Sequence, residues 1–133
     1  MKAKVIIERG NDGLFSYYMK ENNFDFGLNG QGNTIEEAKN EFLIVYSELK
    51  EMYLEEGKDF PALEFEYEYD ICSFLNYYSG VLSKSGLEKI TGINQKQLWH
   101  YSSGRRKPTE KTIEKIQLGL HSFSKELGQV HFV

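Results

Sequence analysis

The chain has 133 residues, 40% hydrophobic, 14% aromatic and 27% charged, with a formal net charge of −4; that is too apolar for intrinsic disorder and long enough to bury a core, in one compact domain or two small ones. No run approaches the ~18 uncharged apolar residues of a membrane span, and the opening Met1-Lys2-Ala3-Lys4-Val5-Ile6-Ile7-Glu8 meets a charge after three apolar residues, so no signal peptide is expected and the expected compartment is the cytoplasm. A single cysteine, Cys72, excludes an internal disulfide and thiolate-rich zinc sites.

From the start, Lys4-Val5-Ile6-Ile7-Glu8 is β-branched and strand-like, Gly10-Asn11-Asp12-Gly13 tolerates positive φ, and Leu14 to Met19 resumes an apolar, aromatic pattern, so a β-hairpin is expected. Phe24-Asp25-Phe26-Gly27-Leu28 alternates as a third strand, and the glycines of Asn29-Gly30-Gln31-Gly32 break it. Thr34 with Glu37 makes a capping box, and Ile35, Ala38, Phe42, Val45, Leu49 and Met52 share one stripe of a helix running from about Thr34 to Glu56 and stopping at Gly57. After Pro61, Leu63 to Asp70 alternates apolar and acidic residues, which puts Leu63, Phe65, Tyr67 and Tyr69 on the helix side. The order is β-β-β-α-β.

On the other face of that last strand stand Glu64, Glu66, Glu68 and Asp70. Residues two apart on a strand are separated by roughly 7 Å, too far to converge on one ion without a second element. They make the solvated face of an antiparallel sheet, and Glu64, Glu66 and Glu68 also suit a dock for a basic protein partner. Gly30-Gln31-Gly32 lacks the spacing and the lysine of a phosphate loop.

Beyond Asp70 the pattern is helical throughout. With Asp70 as cap, Ile71, Phe74, Leu75, Tyr78, Val81 and Leu82 define one amphipathic helix, and Ser85 caps a short second one ending at Gly92. Asn94 caps Gln95 to Ser102, a loop of Arg105-Arg106-Lys107-Pro108 follows, and a last helix from Thr109 carries Ile113, Ile116, Leu120, Phe123 and Leu127 inward. Two short helices about a glycine turn, clamped by Leu87, Ile90, Ile93, Leu98 and Tyr101, meet the requirement of a helix-turn-helix. Charge divides the chain at the same place: residues 1–70 hold 7 Lys/Arg and 16 Asp/Glu, a net −9, whereas residues 71–133 hold 9 and 4, a net +5. We therefore read an α+β chain of two modules, 1–70 and 71–133, of which the basic one attracts a polyanion.

The stretch Leu87 to Thr109 resembles the phage-repressor-like helix-turn-helix domain, because Leu87, Gly92, Ile93, Leu98, Tyr101, Gly104 and Pro108 keep that family's spacing. One position departs: the residue after Leu87, usually alanine where the two helices touch, is Glu88, whose carboxylate must turn outward or hold the helices farther apart. The resemblance implies that the helix from Asn94 lies in the major groove, with Asn94, Gln95, Lys96, Trp99 and His100 placed to read bases. Gln pairs with adenine, Lys donates to guanine and an aromatic ring packs on a thymine methyl. Arg105, Arg106 and Lys107 then contact phosphates, adding affinity without sequence information.

The whole chain resembles the HicB antitoxins, which join an acidic β-β-β-α-β module, similar to a partial RNase H fold, to a DNA-binding domain; the marker is Phe26-Gly27-Leu28-Asn29-Gly30-Gln31-Gly32-Asn33-Thr34-Ile35-Glu36-Glu37-Ala38. This resemblance implies that the front module captures and covers a small basic, mRNA-cleaving HicA-type toxin, and that the rear module represses the operon encoding both. Glu64, Glu66 and Glu68 are the expected partner-binding residues. Operator symmetry implies a homodimer or a higher even oligomer, with the apolar tail Val130-His131-Phe132-Val133 as a candidate dimer seam. No cofactor, metal or membrane partner is expected, and no catalytic constellation is seen; an enzyme would have to be built from Cys72 and three scattered histidines. The rival reading is a free-standing regulator whose front module senses a ligand or another protein.

Overall fold

The computed structural model describes residues 1–20 and 24–133. β1 (Lys2–Arg9) and β2 (Phe15–Met19) form the expected hairpin, in antiparallel register from Val5 opposite Met19 to Arg9 opposite Phe15. Its turn is closed by the Gly13 amide donating to the Gly10 carbonyl at 3.0 Å and the Leu14 amide donating to Asp12 Oδ1 at 3.0 Å. Gly13 takes a φ of 83°, which a side chain would make costly.

The third strand is not where the alternation of Phe24 to Leu28 puts it. β3 is Asn29–Gly32, paired antiparallel with β2. Its glycines serve close approach: a Cβ at Gly30 would collide with the Phe42 amide nitrogen and lie 2.5 Å from the Ala38 carbonyl oxygen, and one at Gly32 would lie 2.5 Å from Glu37 Cβ. Only a strand without side chains there can sit beneath the following helix. Phe26 instead joins an aromatic cluster, 5.9 Å from the Tyr53 ring and 5.3 Å from that of Phe60.

α1 (Ile35–Glu55) is capped by Thr34 as expected, its Oγ1 accepting from the Glu37 amide at 3.1 Å, but the return bond of the capping box is shifted by one residue: Glu37 Oε2 accepts from the Asn33 amide at 2.9 Å rather than from that of Thr34. Ile35, Ala38 and Phe42 are buried against Val5, Ile7, Phe15, Tyr17 and Leu28, and Val45 and Leu49 pack on that cluster. Met52, expected on the same stripe, is exposed, and Tyr53 beside it packs on Phe26 and Phe60 instead.

β4 (Glu64–Tyr69) pairs with β1 in parallel, from Lys2 opposite Glu64 to Ile7 opposite Tyr69, so the sheet is mixed rather than antiparallel. After three alternating strands, α1 carries the chain back once more and β4 must run with β1. The strand order is β3-β2-β1-β4, which leaves β4 at an edge; Tyr67 shares the helix-side face but stays 43% exposed. Asp70 ends the ladder with its amide on the Ile7 carbonyl at 2.9 Å.

The chain divides into two compact units, Met1–Ser73 and Phe74–Val133, and the division falls inside α2 (Ile71–Tyr77) rather than after Asp70. α2 also stops short of Leu82: residues 78–81 form turns, and Val81 is 78% exposed. α3 (Lys84–Thr91) is capped by Ser83 rather than Ser85, the hydroxyl accepting from the Gly86 amide at 2.9 Å, and ends at Gly92 with a φ of 76°. α4 (Gln95–Ser102) and α5 (Glu110–Leu127), the latter capped by Thr109, complete an α+β chain. Leu87, Leu98, Tyr101 and Ile116 make the core of the second unit. Of the expected α5 stripe, Ile113 and Leu127 are exposed. Gly119, mid-helix, lets α5 close on α3: a Cβ there would lie 2.6 Å from the Ile90 carbonyl oxygen.

Candidate nucleic-acid interface

The turn between α3 and α4 is three residues long and is fixed by Thr91, whose buried hydroxyl donates to the Leu87 carbonyl at 2.7 Å and accepts from the Ile93 amide at 3.1 Å. Leu98 and Tyr101 anchor α4 inward, and helical spacing then turns Gln95, Lys96 and Trp99 to solvent. Trp99 is 46% exposed, a high value for the chain's only tryptophan. Asn94, expected among the base readers, spends its side-chain oxygen on the Lys96 amide at 2.8 Å and acts as the cap. His100 is half-buried with its Nδ1 atom enclosed and without a hydrogen-bond partner, and Gln97 Oε1 is enclosed likewise.

After α4, Gly104 (φ 79°) reverses the chain, and the His100 carbonyl accepts from the amides of Arg105 at 3.0 Å and Arg106 at 3.3 Å. That clasp fixes the backbone from which Arg105, Arg106 and Lys107 extend. All three are exposed, and none enters an ion pair among the described residues. The Arg105 guanidinium stacks over the Trp99 ring, 5.0 Å from its centroid, a cation–π contact that draws the loop toward the exposed face of α4. Gln95, Lys96, Trp99 and the basic loop are thus side by side, a polar and aromatic face next to uncompensated positive charge. Such a surface suits a polyanion whose interior edges carry hydrogen-bonding groups.

Glu88 is the residue whose role the sequence reading missed. Its carboxylate reaches across the turn to the start of α4: Oε1 accepts from the Gln95 backbone amide and Oε2 from the Gln95 side-chain Nε2, each at 3.2 Å. An acid seven residues upstream of a capped helix start, across a glycine turn, is the signal that pointed to it, because a helix N-terminus attracts a carboxylate.

No family model, curated protein or solved structure matches this chain.

In the first unit, Glu64, Glu66 and Glu68 are all exposed, as a partner surface requires. Two of them hold cations of β1, Lys2 with Glu66 at 3.2 Å and Lys4 with Glu68 at 3.4 Å. Exposed pairs of this kind are worth at most ~1 kcal/mol, so they yield readily to a stronger cation. Cys72 is half-buried, His121 and His131 are exposed, and among the described residues no group of three His, Cys, Asp or Glu could hold a metal ion. Among the same residues no helix is long and apolar enough to cross a membrane.

Proposed function

We propose that this chain is a HicB-type antitoxin: its first unit captures and covers a small basic HicA-type toxin that cleaves mRNA, and its second unit represses the operon encoding both by sequence-specific DNA binding. The observation that carries the DNA half is the outward face of α4, where Gln95, Lys96 and Trp99 stand beside the exposed cations of Arg105, Arg106 and Lys107. In this reading α3 and α4 are a helix-turn-helix, α4 enters the major groove, and the loop grips phosphate. The toxin half is supported by the net −9 of residues 1–70 and by the acidic strip of Glu64, Glu66 and Glu68, whose exposed pairs are open to exchange. The order β3-β2-β1-β4, with β1 and β4 parallel, supports a partial RNase H-like module without making it a nuclease. Leu118, Leu127, Val130 and Phe132, all exposed near the C-terminus, supply an apolar seam for the dimer that a palindromic operator needs.

The test titrates the full chain with its own upstream duplex and with a scrambled one at two salt concentrations, and mixes it with the small basic protein encoded alongside. Saturable binding to the native duplex alone, together with a stoichiometric complex that stops RNA cleavage, is the expected result. No preference for the native duplex would remove the repressor half, and no complex would remove the antitoxin half.

A further inference from the structure

We propose that Glu88 is a specificity-determining residue: it holds the Gln95 amide in one orientation, so that α4 accepts at one base position from adenine and discriminates against the other three bases. The inference rests on the DNA-reading role of α4 and adds to it a residue outside that helix. Its basis is the pair of contacts from the Glu88 carboxylate to the Gln95 backbone amide and to Gln95 Nε2, each at 3.2 Å. An ionised carboxylate only accepts hydrogen bonds, whereas an amide side chain offers an acceptor on one arm and two donors on the other. Facing Glu88, the amide must therefore turn its nitrogen inward. Flipping it would set Oε1 against a carboxylate oxygen, two acceptors with no proton between them.

What remains follows from the planarity of the amide. One hydrogen of Nε2 is committed to Glu88. Oε1 and the second hydrogen lie on the opposite edge, an acceptor beside a donor. That pair complements adenine in the major groove, which presents an N6 donor beside an N7 acceptor; guanine presents two acceptors and would meet Oε1 with repulsion. A free Gln side chain lacks this restriction, since it rotates to offer whichever arm the base requires. Satisfying the start of α4 does not need the side-chain contact: the Gln95 amide is already held by Glu88 Oε1, and the Lys96 amide by Asn94. The carboxylate has a cost, because a negative charge at the head of a groove-entering helix opposes the phosphates. Glu88 exchanges general affinity for discrimination.

The experiment uses the full chain and a duplex pool randomised over two helical turns, with bound sequences read after selection by wild type, Glu88→Ala, Glu88→Gln, Gln95→Ala and the double variant Glu88→Ala/Gln95→Ala. Wild type is expected to enrich a motif with adenine at one position of each half-site. Gln95→Ala and Glu88→Ala should lose that preference by about tenfold or more at that position and keep the rest of the motif, with no further loss in the double variant. The isosteric Glu88→Gln, which leaves packing intact, should show a partial loss, and both Glu88 variants should bind unselected duplex more tightly than wild type does. Unchanged adenine preference in the Glu88 variants, or an even loss across every position, would overturn the proposal while leaving α4 as a DNA reader. Absence of any enriched motif with wild type would overturn the DNA reading itself, and the role of Glu88 with it.

Discussion

The guanidinium of Arg105 lies 5.0 Å from the centroid of the Trp99 ring, which joins a residue assigned to base reading with one assigned to phosphate. The contact holds a long side chain close to the exposed face of α4 before any ligand arrives. It also makes the sole tryptophan a reporter of the state of the loop.

Arg105→Ala should shift the Trp99 emission of the free protein and weaken binding to every duplex by a similar factor. Losing one phosphate contact reduces the slope of log affinity against log salt by about 0.9. Fluorescence titration at several salt concentrations reads both effects, and a loss confined to the native duplex would show that Arg105 reads bases instead.

Gly119→Ala should destabilise the second unit by about 1–3 kcal/mol, as overpacking does. In an open helix the same change gains ~1 kcal/mol, so the sign alone decides whether α5 touches α3 here. Urea unfolding followed by Trp99 emission measures it, and a stabilised variant would contradict the 2.6 Å approach to the Ile90 carbonyl.

Asp70 accepts from the Ser73 amide at 2.7 Å and from the Arg9 amide at 3.1 Å, one oxygen for each. Asp70→Ala removes a helix cap and leaves a strand amide unsatisfied, a combined loss of about 2–4 kcal/mol. Denaturant midpoints for wild type and variant test this, and a change below a few tenths would mean water replaces both bonds.

The Tyr18 phenol is held above its ordinary value of 10.0, first by burial and then by the charge of Glu8, whose Oε1 accepts its hydrogen bond at 3.2 Å. A pKa raised on folding contributes stability that is complete below the ordinary value and is lost as pH climbs through the raised one. Alkaline absorbance titration should therefore show a late-ionising tyrosine that moves back toward 10.0 in Glu8→Gln. An unmoved titration in that variant would leave burial as the whole cause.

Periodicity made most of this fold legible in the sequence. Thr34 and Glu37 announce α1, Asn94 announces α4, and the alternation from Leu63 to Tyr69 announces β4 and its inward face. Misplacement came where one residue type has two uses. Gly30 and Gly32 look like strand breakers and are in fact the residues that let β3 pass beneath α1, while the alternating Phe24 and Phe26 stack on each other, 5.4 Å apart. The candidate site divides in the same way. Exposure of Gln95, Lys96 and Trp99 follows from helical spacing, but the contacts Glu88–Gln95 and Arg105–Trp99 are tertiary, and period says nothing about which side chains meet across a turn.

β1 is made before the other three strands of its sheet and lies second from the edge of the finished one, with Met1 itself bonded to Ala62 and Glu64. During synthesis its hairpin with β2 can close early, yet the flank that receives β4 waits until Asp70 has left the ribosome. Through that interval Val5 and Ile7 lie on a strand with a bare edge, the kind of surface that pairs with another chain. Nascent-chain aggregation and chaperone capture should accordingly peak for fragments ending shortly before residue 64 and fall once residue 70 is free.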